Sequence, residues 1–207
     1  MKQVSTISIR PTQFALGMKE VEFKINHLSK LKNHEIQSYL KDHPLPAIKY
    51  KDENHVIDHH HLARAVWELD IEGIWVDERD DLTHLSRTKF WDTMRDKKWI
   101  HLFDQFGEGP RNPELLPASI RYLADDPYRS IAWAVRDSGG YEKTTKPFSE
   151  FLWANFFRKK LDIFLVLNDF DEAGKQAIKL AHSDVAKHLP GWSPTRLKIE
   201  KPVIDTK

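Results

Sequence analysis

The feature that most constrains the fold is a short strand that runs directly into an amphipathic helix between His55 and Leu69. Val56 and Ile57 predict the strand. The helix that follows has apolar residues spaced i, i+3, i+4 and i+7, which is typical of one buried face. These residues are Leu62, Ala65, Val66 and Leu69. The stretch therefore predicts a strand followed by a helix that packs on the core.

The turn between this strand and helix predicts a place where phosphate can bind. We expect Asp58 to be the N-cap, with its carboxylate accepting a hydrogen bond from the backbone N–H of His60 or His61. The first N–H groups of a helix lack intrahelical partners and lie at the positive end of its dipole, so they attract anions. Protonatable imidazoles at positions 59–61 would add to this attraction. On local grounds alone, an ordinary aspartate N-cap explains the same residues.

A metal site is the other chemistry that these histidines suggest. Consecutive helical residues point about 100° apart, so three histidines in a row cannot share one metal ion. One or two of them, together with His55 or Asp58, remain a candidate ligand set. Asp80 and Asp81 follow a predicted strand and are better suited to Mg²⁺, which prefers carboxylate oxygens.

The order of predicted elements indicates a mixed fold. Ile7 and Ile9 alternate with polar residues and predict a strand over 5–9, and helices and further strands follow as far as a Gly- and Pro-rich loop. We expect an α/β (α+β) fold with a compact mixed sheet, followed by a helical C-terminal region. The predicted divisions are an α/β domain over 1–105, a helical extension packed on it over 114–190 and an irregular tail over 191–207.

Composition excludes some classes of function. The chain of 207 residues has no cysteine, which rules out disulfides and any site or nucleophile that depends on cysteine. A net charge of +1 gives no argument for non-specific binding to nucleic acid or membranes, although a local basic patch would still allow contact with nucleic acid. No stretch predicts a membrane span or a signal peptide. We expect a soluble protein, by default cytoplasmic, while a removed signal peptide would leave the same sequence.

Four segments resemble the ParB-like nuclease branch of the ParB/sulfiredoxin (ParB/Srx) fold superfamily, which also contains free-serine kinases. The superfamily hallmark is a strand, then Val-Ile-Asp-Gly-His-His-Arg, then a helix, and this chain has Val-Ile-Asp-His-His-His-Leu over 56–62. The resemblance extends over about residues 5–190. The four segments are Ile9–Met18, Ile57–Ala65, Asp125–Ser130 and Phe148–Ala154.

The resemblance implies an enzyme that holds a nucleotide phosphate at the start of the helix and carries out phosphoryl transfer or nucleotide hydrolysis. The implied cofactors are ATP/ADP or CTP and Mg²⁺, and the implied partners are a nucleotide and a small-molecule substrate. Glu20, with Glu22 second, matches the carboxylate that the kinases use as a base. The remaining implied site residues are Asp58, His60 and His61, with His59 beside them. The motif's arginine is absent, and Arg10 or Arg64 is the expected replacement for its charge.

Two departures from the motif bear on catalysis. His59 replaces the motif's glycine, which restricts close approach of the backbone to a phosphate, and Leu62 replaces the motif's arginine. The missing cysteine argues against sulfiredoxin chemistry. The absence of a recognisable helix-turn-helix region argues against chromosome partitioning.

Two alternative functions stay open. One is a metal-dependent nuclease that uses Asp58, His60 and His61 with Asp81 as an acidic partner. The other is a non-catalytic module that binds nucleotide or nucleic acid. The aromatic helix over 148–161 would then be a candidate partner surface, although core packing is the preferred interpretation. The sequence leaves the substrate and the oligomeric state open.

Overall fold

A computed structural model describes residues 1–195 in two compact units. The first is Met1–Asp125 and the second begins at Asp126. The boundary therefore falls later than the loop over 104–113, and the predicted packing of a helical extension on the first domain stays a prediction. Most of the predicted irregular tail, residues 196–207, lies outside the described residues.

The first unit is built on a mixed five-stranded sheet. Its strands are β1 (Lys2–Val4), β2 (Ile9–Pro11), β4 (Leu45–Tyr50), β5 (Glu53–Val56) and β6 (Ile74–Asp81), while β3 (Ala15–Leu16) and β7 (Ala124–Asp125) form a separate parallel pair. The order in the sheet is β1-β6-β4-β5-β2. β4 pairs antiparallel with β5 and parallel with β6, while β2 runs parallel to β5 and β1 antiparallel to β6.

Four helices belong to this unit, and two apolar clusters pack them on the sheet. The larger cluster includes Val21, Leu40 and Leu62, and the smaller one joins Tyr50 of β4 to Phe90. The helices are α1 (Met18–Leu28), α2 (Asn33–Asp42), α3 (His60–Glu68) and α4 (Arg87–Asp96). The predicted strand and helix around residues 55–69 are present as β5 and α3.

The predicted strand over 5–9 is interrupted. Thr6–Ser8 is a turn of 3₁₀-helix that separates β1 from β2. The Ser8 hydroxyl donates to the Ser5 carbonyl over 2.7 Å, and the Ser8 N–H donates to the same oxygen over 3.0 Å. This turn leaves Ile7 52% exposed while Ile9 is fully buried. Ile7 and Ile9 therefore do not lie on one face of a single strand. The local turn that Ser8 closes replaces extended structure between them.

The second unit is helical. Asp126 is the N-cap of its first helix, with a carboxylate oxygen 3.0 Å from the Tyr128 N–H, and Pro127 occupies the first helical position, where its missing N–H costs nothing. Trp153 stacks on Tyr141 with ring centroids 4.2 Å apart. The helices are α5 (Pro127–Asp137), α6 (Ser149–Arg158), α7 (Ile163–Asn168) and α8 (Phe170–His182).

The predicted fold class is confirmed: a mixed α/β unit is followed by helices. The aromatic side chains of α6 that the sequence singled out contribute to the core of the second unit, where Trp153, Phe156 and Phe157 are buried. Within residues 1–195, none of the helices has the length and apolar character needed to cross a lipid bilayer.

The position that carries arginine in the superfamily motif faces the core here. Leu62 is only 4% exposed and belongs to the larger apolar cluster. We predict that Leu62→Arg lowers the free energy of unfolding by about 3–5 kcal/mol, because it leaves an uncompensated charge in the core. Leu62→Met keeps a similar volume and should cost less than about 1.5 kcal/mol. Urea denaturation of both variants checks this, and equal stability of the two would contradict the burial of this position.

Candidate functional site

The turn before α3 is made by a left-handed residue. His59 has φ 62° and ψ 25°, a conformation that glycine adopts most easily. His59 is the N-cap, and no side chain caps the helix. The prediction that Asp58 is the N-cap is wrong: its carboxylate accepts instead from the His59 N–H over 2.7 Å. Because the left-handed residue turns the chain before the helix begins, the carboxylate of the preceding residue bonds within the turn.

His60 fixes the start of α3 to the segment that follows β2. Its ring is buried, and Nε2 accepts from the Thr12 N–H over 3.2 Å. The Thr12 hydroxyl donates to the Val56 carbonyl at the end of β5 over 2.8 Å. A ring nitrogen that accepts a hydrogen bond carries no proton, so this network assigns a neutral imidazole to His60.

His61 connects the same turn to the start of α1. Its Nε2 accepts from the Gly17 N–H over 3.2 Å, and its Nδ1 lies 3.2 Å from Glu20 Oε2. Because the accepting Nε2 carries no proton, the ring proton lies on Nδ1, beside the Glu20 carboxylate. Glu20 also lies 3.5 Å from Lys24 Nζ. The structure thus brings Glu20 and His61, both predicted as site residues, into direct contact.

These contacts direct both histidine side chains toward protein partners. The rings of His60 and His61 hold the backbone at Thr12 and Gly17, whereas the side chains of Asp58 and His59 are exposed. The chemistry that this turn offers to a ligand therefore comes from the backbone of the first turn of α3 and from its exposed side. Imidazole donors pointing at a ligand are not part of this arrangement.

The two arginines predicted to replace the motif's cation are both bonded to protein partners. Arg10 Nε is 2.8 Å from Glu53 Oε1, and Arg10 also donates to the Ala118 carbonyl. Arg64 Nε is 2.7 Å from Glu68 Oε1 on the same helix, and its Nη1 donates to the Leu123 carbonyl over 3.1 Å. Each guanidinium already has a carboxylate partner, and the two do not share one.

Asp81, the predicted metal ligand, forms an exposed ion pair. Its Oδ2 lies 2.8 Å from Lys49 Nζ, and its Oδ1 accepts from the Thr83 N–H over 2.9 Å. These bonds to Lys49 and Thr83 hold the pKa of Asp81 well below its usual range. Within residues 1–195, no group of three or more His, Asp or Glu side chains has the geometry to hold a metal ion.

A polar cavity of about 210 Å³ lies beside β2 and β5, and it was not predicted from the sequence. His55 was predicted only as a possible metal ligand and Arg10 only as a cation for phosphate. The remaining polar residues were missed, because they come from segments far apart in the chain and no local motif links them. The polar and aromatic residues that line this cavity are Arg10, Glu53, His55, Arg87, Trp91 and Glu114.

Burial controls the protonation of His55. Burial removes water from the ring, which disfavours its charged form and lowers the pKa of His55 to about 4, although the nearby carboxylate of Glu53 raises it. In the unfolded chain a histidine has a pKa of about 6.5. Folding therefore favours the neutral ring, and the resulting stability is complete above pH 6.5 and is lost as the pH falls toward 4.

We predict that the free energy of unfolding falls more steeply with decreasing pH in the wild type than in His55→Phe, between pH 6.5 and 4. The difference in slope approaches about 1.4 kcal/mol per pH unit, because one more proton binds to the unfolded chain than to the folded one. Urea denaturation at half-unit intervals of pH measures it. Parallel curves for the two proteins would mean that His55 is not buried as a neutral ring.

Comparison with known proteins identifies the family of this chain. A family model described as "Putative ParB-like nuclease" matches residues 2–159. The crystal structure of protein Atu1540 from Agrobacterium tumefaciens is similar over 93% of this chain and 97% of that chain, with 38% sequence identity and a TM-score of 0.85. No curated protein matches the sequence. The match over most of the chain, together with the strand–turn–helix at His59, shows that the protein belongs to the ParB-like nuclease family.

Proposed function

We propose that this protein binds a phosphate group of a nucleotide or nucleic acid at the start of α3 and breaks a phosphoanhydride or phosphodiester bond to that phosphate, with Glu20 as the general base for the attacking hydroxyl or water. The observation that carries the proposal is the left-handed turn at His59. His59 holds a backbone conformation that glycine, the residue of the superfamily motif at this position, adopts most easily. This conformation supports a phosphate-binding helix start here despite the substitution.

The helix start supplies the attraction for the anion. The first N–H groups of α3 have no intrahelical acceptor, and the helix dipole places partial positive charge beside them. Asp58 and His59 are exposed, so a ligand can approach the turn from solvent. Arg10 and Arg64 would have to leave their carboxylate partners to reach a phosphate. The proposal therefore assigns the charge of the phosphate to backbone N–H groups.

Glu20 is the best-placed carboxylate for a base. Its side chain is 12% exposed and its Oε2 faces Nδ1 of His61, which is bonded in turn to Gly17. A base that is oriented by a neighbouring hydrogen bond can accept the proton of an attacking hydroxyl or water without rearrangement. His61 acts as a positioning residue in this proposal, because it holds the carboxylate and the start of α1 beside α3.

We expect Mg²⁺ to bind here only when it is already coordinated by the phosphates of the nucleotide. Asp58 offers one exposed carboxylate, and the described residues form no group that would hold a metal by themselves. Mg²⁺ commonly binds through one carboxylate, phosphate oxygens and water, and there it neutralises charge on the phosphates. ATP, ADP and CTP are the candidate nucleotides, and binding of the phosphate to the helix start requires no metal.

A nuclease is the second candidate, and membership of the ParB-like nuclease family favours it. In this form the phosphodiester is part of a DNA or RNA backbone, and water is the nucleophile that Glu20 activates. The version that uses Asp81 as a metal ligand gains no support, because Asp81 pairs with Lys49. The third candidate is a module that binds phosphate without turnover. Binding of a ligand without any reaction would identify it.

We predict that Glu20→Gln retains phosphate binding and lowers turnover at least about 100-fold, the usual contribution of a general base. Glu22→Gln is the matched control, because Glu22 lies on the same helix in an exposed pair with Lys19 and should leave turnover unchanged. Calorimetry with ATP, ADP and CTP measures binding. Release of phosphate or nucleotide, and cleavage of DNA and RNA oligonucleotides, measure turnover.

Three results would contradict the proposal. The first is that the wild-type protein binds none of these ligands. The second is that Glu20→Gln has the same turnover rate as the wild type. The third is that Glu22→Gln loses as much turnover as Glu20→Gln. Turnover of nucleotides but not oligonucleotides would favour phosphoryl transfer or nucleotide hydrolysis, and the reverse would favour the nuclease.

We also predict opposite effects of two substitutions at His59. His59→Gly fits the left-handed conformation and removes the Cβ, so it should bind nucleotide at least as tightly as the wild type. His59→Val should destabilise the protein by about 1–2 kcal/mol and weaken binding, because a β-branched residue resists this conformation. Thermal unfolding and calorimetry measure both effects. A valine variant with unchanged stability and affinity would show that the turn is not required.

A further inference from the structure

We propose that the cavity around His55 binds a planar, uncharged heterocycle that has hydrogen-bond donors and acceptors along one edge, which is the chemistry of a nucleobase. The cavity lies beside β2 and β5 in the first unit and is a site separate from the start of α3. The inference rests on three features of the cavity: an unsatisfied buried imidazole, balanced charges and flat aromatic walls. It does not depend on phosphate binding.

The first feature is the unsatisfied imidazole. His55 is 3% exposed, and neither ring nitrogen has a hydrogen-bond partner among the described residues. Its Nε2 lies 3.3 Å from Glu53 Oε2, close enough for an electrostatic contact but not aligned as a hydrogen bond. Buried polar groups nearly always have partners, because an unmade hydrogen bond is costly. A neutral imidazole offers one donor and one acceptor that point away from each other, so a heterocycle can bond one ring nitrogen of His55 while Nε2 faces Glu53.

The second feature is the balance of charge. Arg10 is paired with Glu53 over 2.8 Å, and Arg87 makes two bonds of 2.8 and 2.7 Å to Glu114. Two cations and two anions therefore line the cavity around a neutral ring. An inorganic anion would compete with carboxylates that already occupy the guanidinium groups. An apolar ligand would desolvate the charges without replacing their hydrogen bonds. A neutral ligand that donates and accepts hydrogen bonds does not compete with the carboxylates, and it replaces the hydrogen bonds that the charged groups lose to desolvation.

The third feature is the shape of the walls. The Trp91 indole is held by a 2.7 Å hydrogen bond from Nε1 to Glu114, and the His55 ring stands at 89° to it with centroids 5.5 Å apart. The Arg87 guanidinium lies over the indole, with its Cζ 4.8 Å from the ring centroid, and a guanidinium plane is itself a flat surface on which a heterocycle can stack. The volume of about 210 Å³ is below the roughly 300–1,000 Å³ of pockets that enclose drug-sized ligands. One base fits this size better than an entire nucleotide.

Nuclear magnetic resonance of the histidine rings tests the proposal directly. The full chain, with its 11 histidines labelled at Cε1, is titrated to millimolar concentrations with adenosine, guanosine, cytidine and uridine. The signal that is missing in His55→Phe identifies His55. We expect at least one nucleoside to move this signal saturably, and we expect His55→Phe to bind that nucleoside at least tenfold more weakly.

His43→Phe is the matched control, because His43 stacks on Tyr39 after α2 and does not line the cavity. Its affinity for the nucleoside should equal that of the wild type. Glu114→Gln is a second variant at the exposed rim, and it should weaken binding because it loosens both Trp91 and Arg87. If His55→Phe does not fold, the affinity of Glu114→Gln for the nucleoside still tests the proposal.

Several results would overturn the proposal. One is a His55 signal that no nucleoside moves, and another is equal affinity in the wild type and in the folded cavity variants. Movement caused by inorganic phosphate or acetate, but by no nucleoside, would identify an anion site instead. Since nucleosides carry no phosphate, failure here leaves the proposed phosphate site at α3 untouched, and failure there leaves this test unchanged.

Discussion

The arrangement of the candidate site depends on two imidazole rings that accept hydrogen bonds from backbone N–H groups. His60 receives the N–H of Thr12, and His61 receives the N–H of Gly17. The segment between β2 and α1 is thereby tied at two points to the first turn of α3. Because each of these N–H groups would cost free energy if buried without an acceptor, the two histidines serve the fold as well as the site.

Much of this fold could be predicted from the sequence, but side-chain partners could not. The apolar spacing from Leu62 to Leu69 correctly predicted α3 with one face in the core. The cap residue was misplaced because a left-handed histidine is uncommon and propensity does not reveal it. The hydrogen-bond partners of Arg10 and Arg64 could not be predicted from the sequence. The carbonyl groups that they bond, at Ala118 and Leu123, are distant in the chain.

Neighbouring strands place the two proposed sites near one another. In the parallel pairing of β2 with β5, Arg10 lies opposite His55. Two residues farther along, Thr12 bonds to His60 at the start of α3. The same pair of strands thus supplies the cavity at one point and supports the helix start at the next. The two proposed sites differ in their chemistry. The cavity offers balanced side-chain charges, and the start of α3 offers backbone N–H donors.

The central claim is that the backbone at the start of α3 receives a phosphate. Amide chemical shifts of the ¹⁵N-labelled chain, titrated with ATP and with CTP in the presence and absence of Mg²⁺, measure this most directly. The claim predicts that the amide signals of residues 59–62 move together and saturate with at least one nucleotide. If those signals stay fixed at millimolar nucleotide while amides elsewhere move, or if none move, phosphate does not bind at this turn.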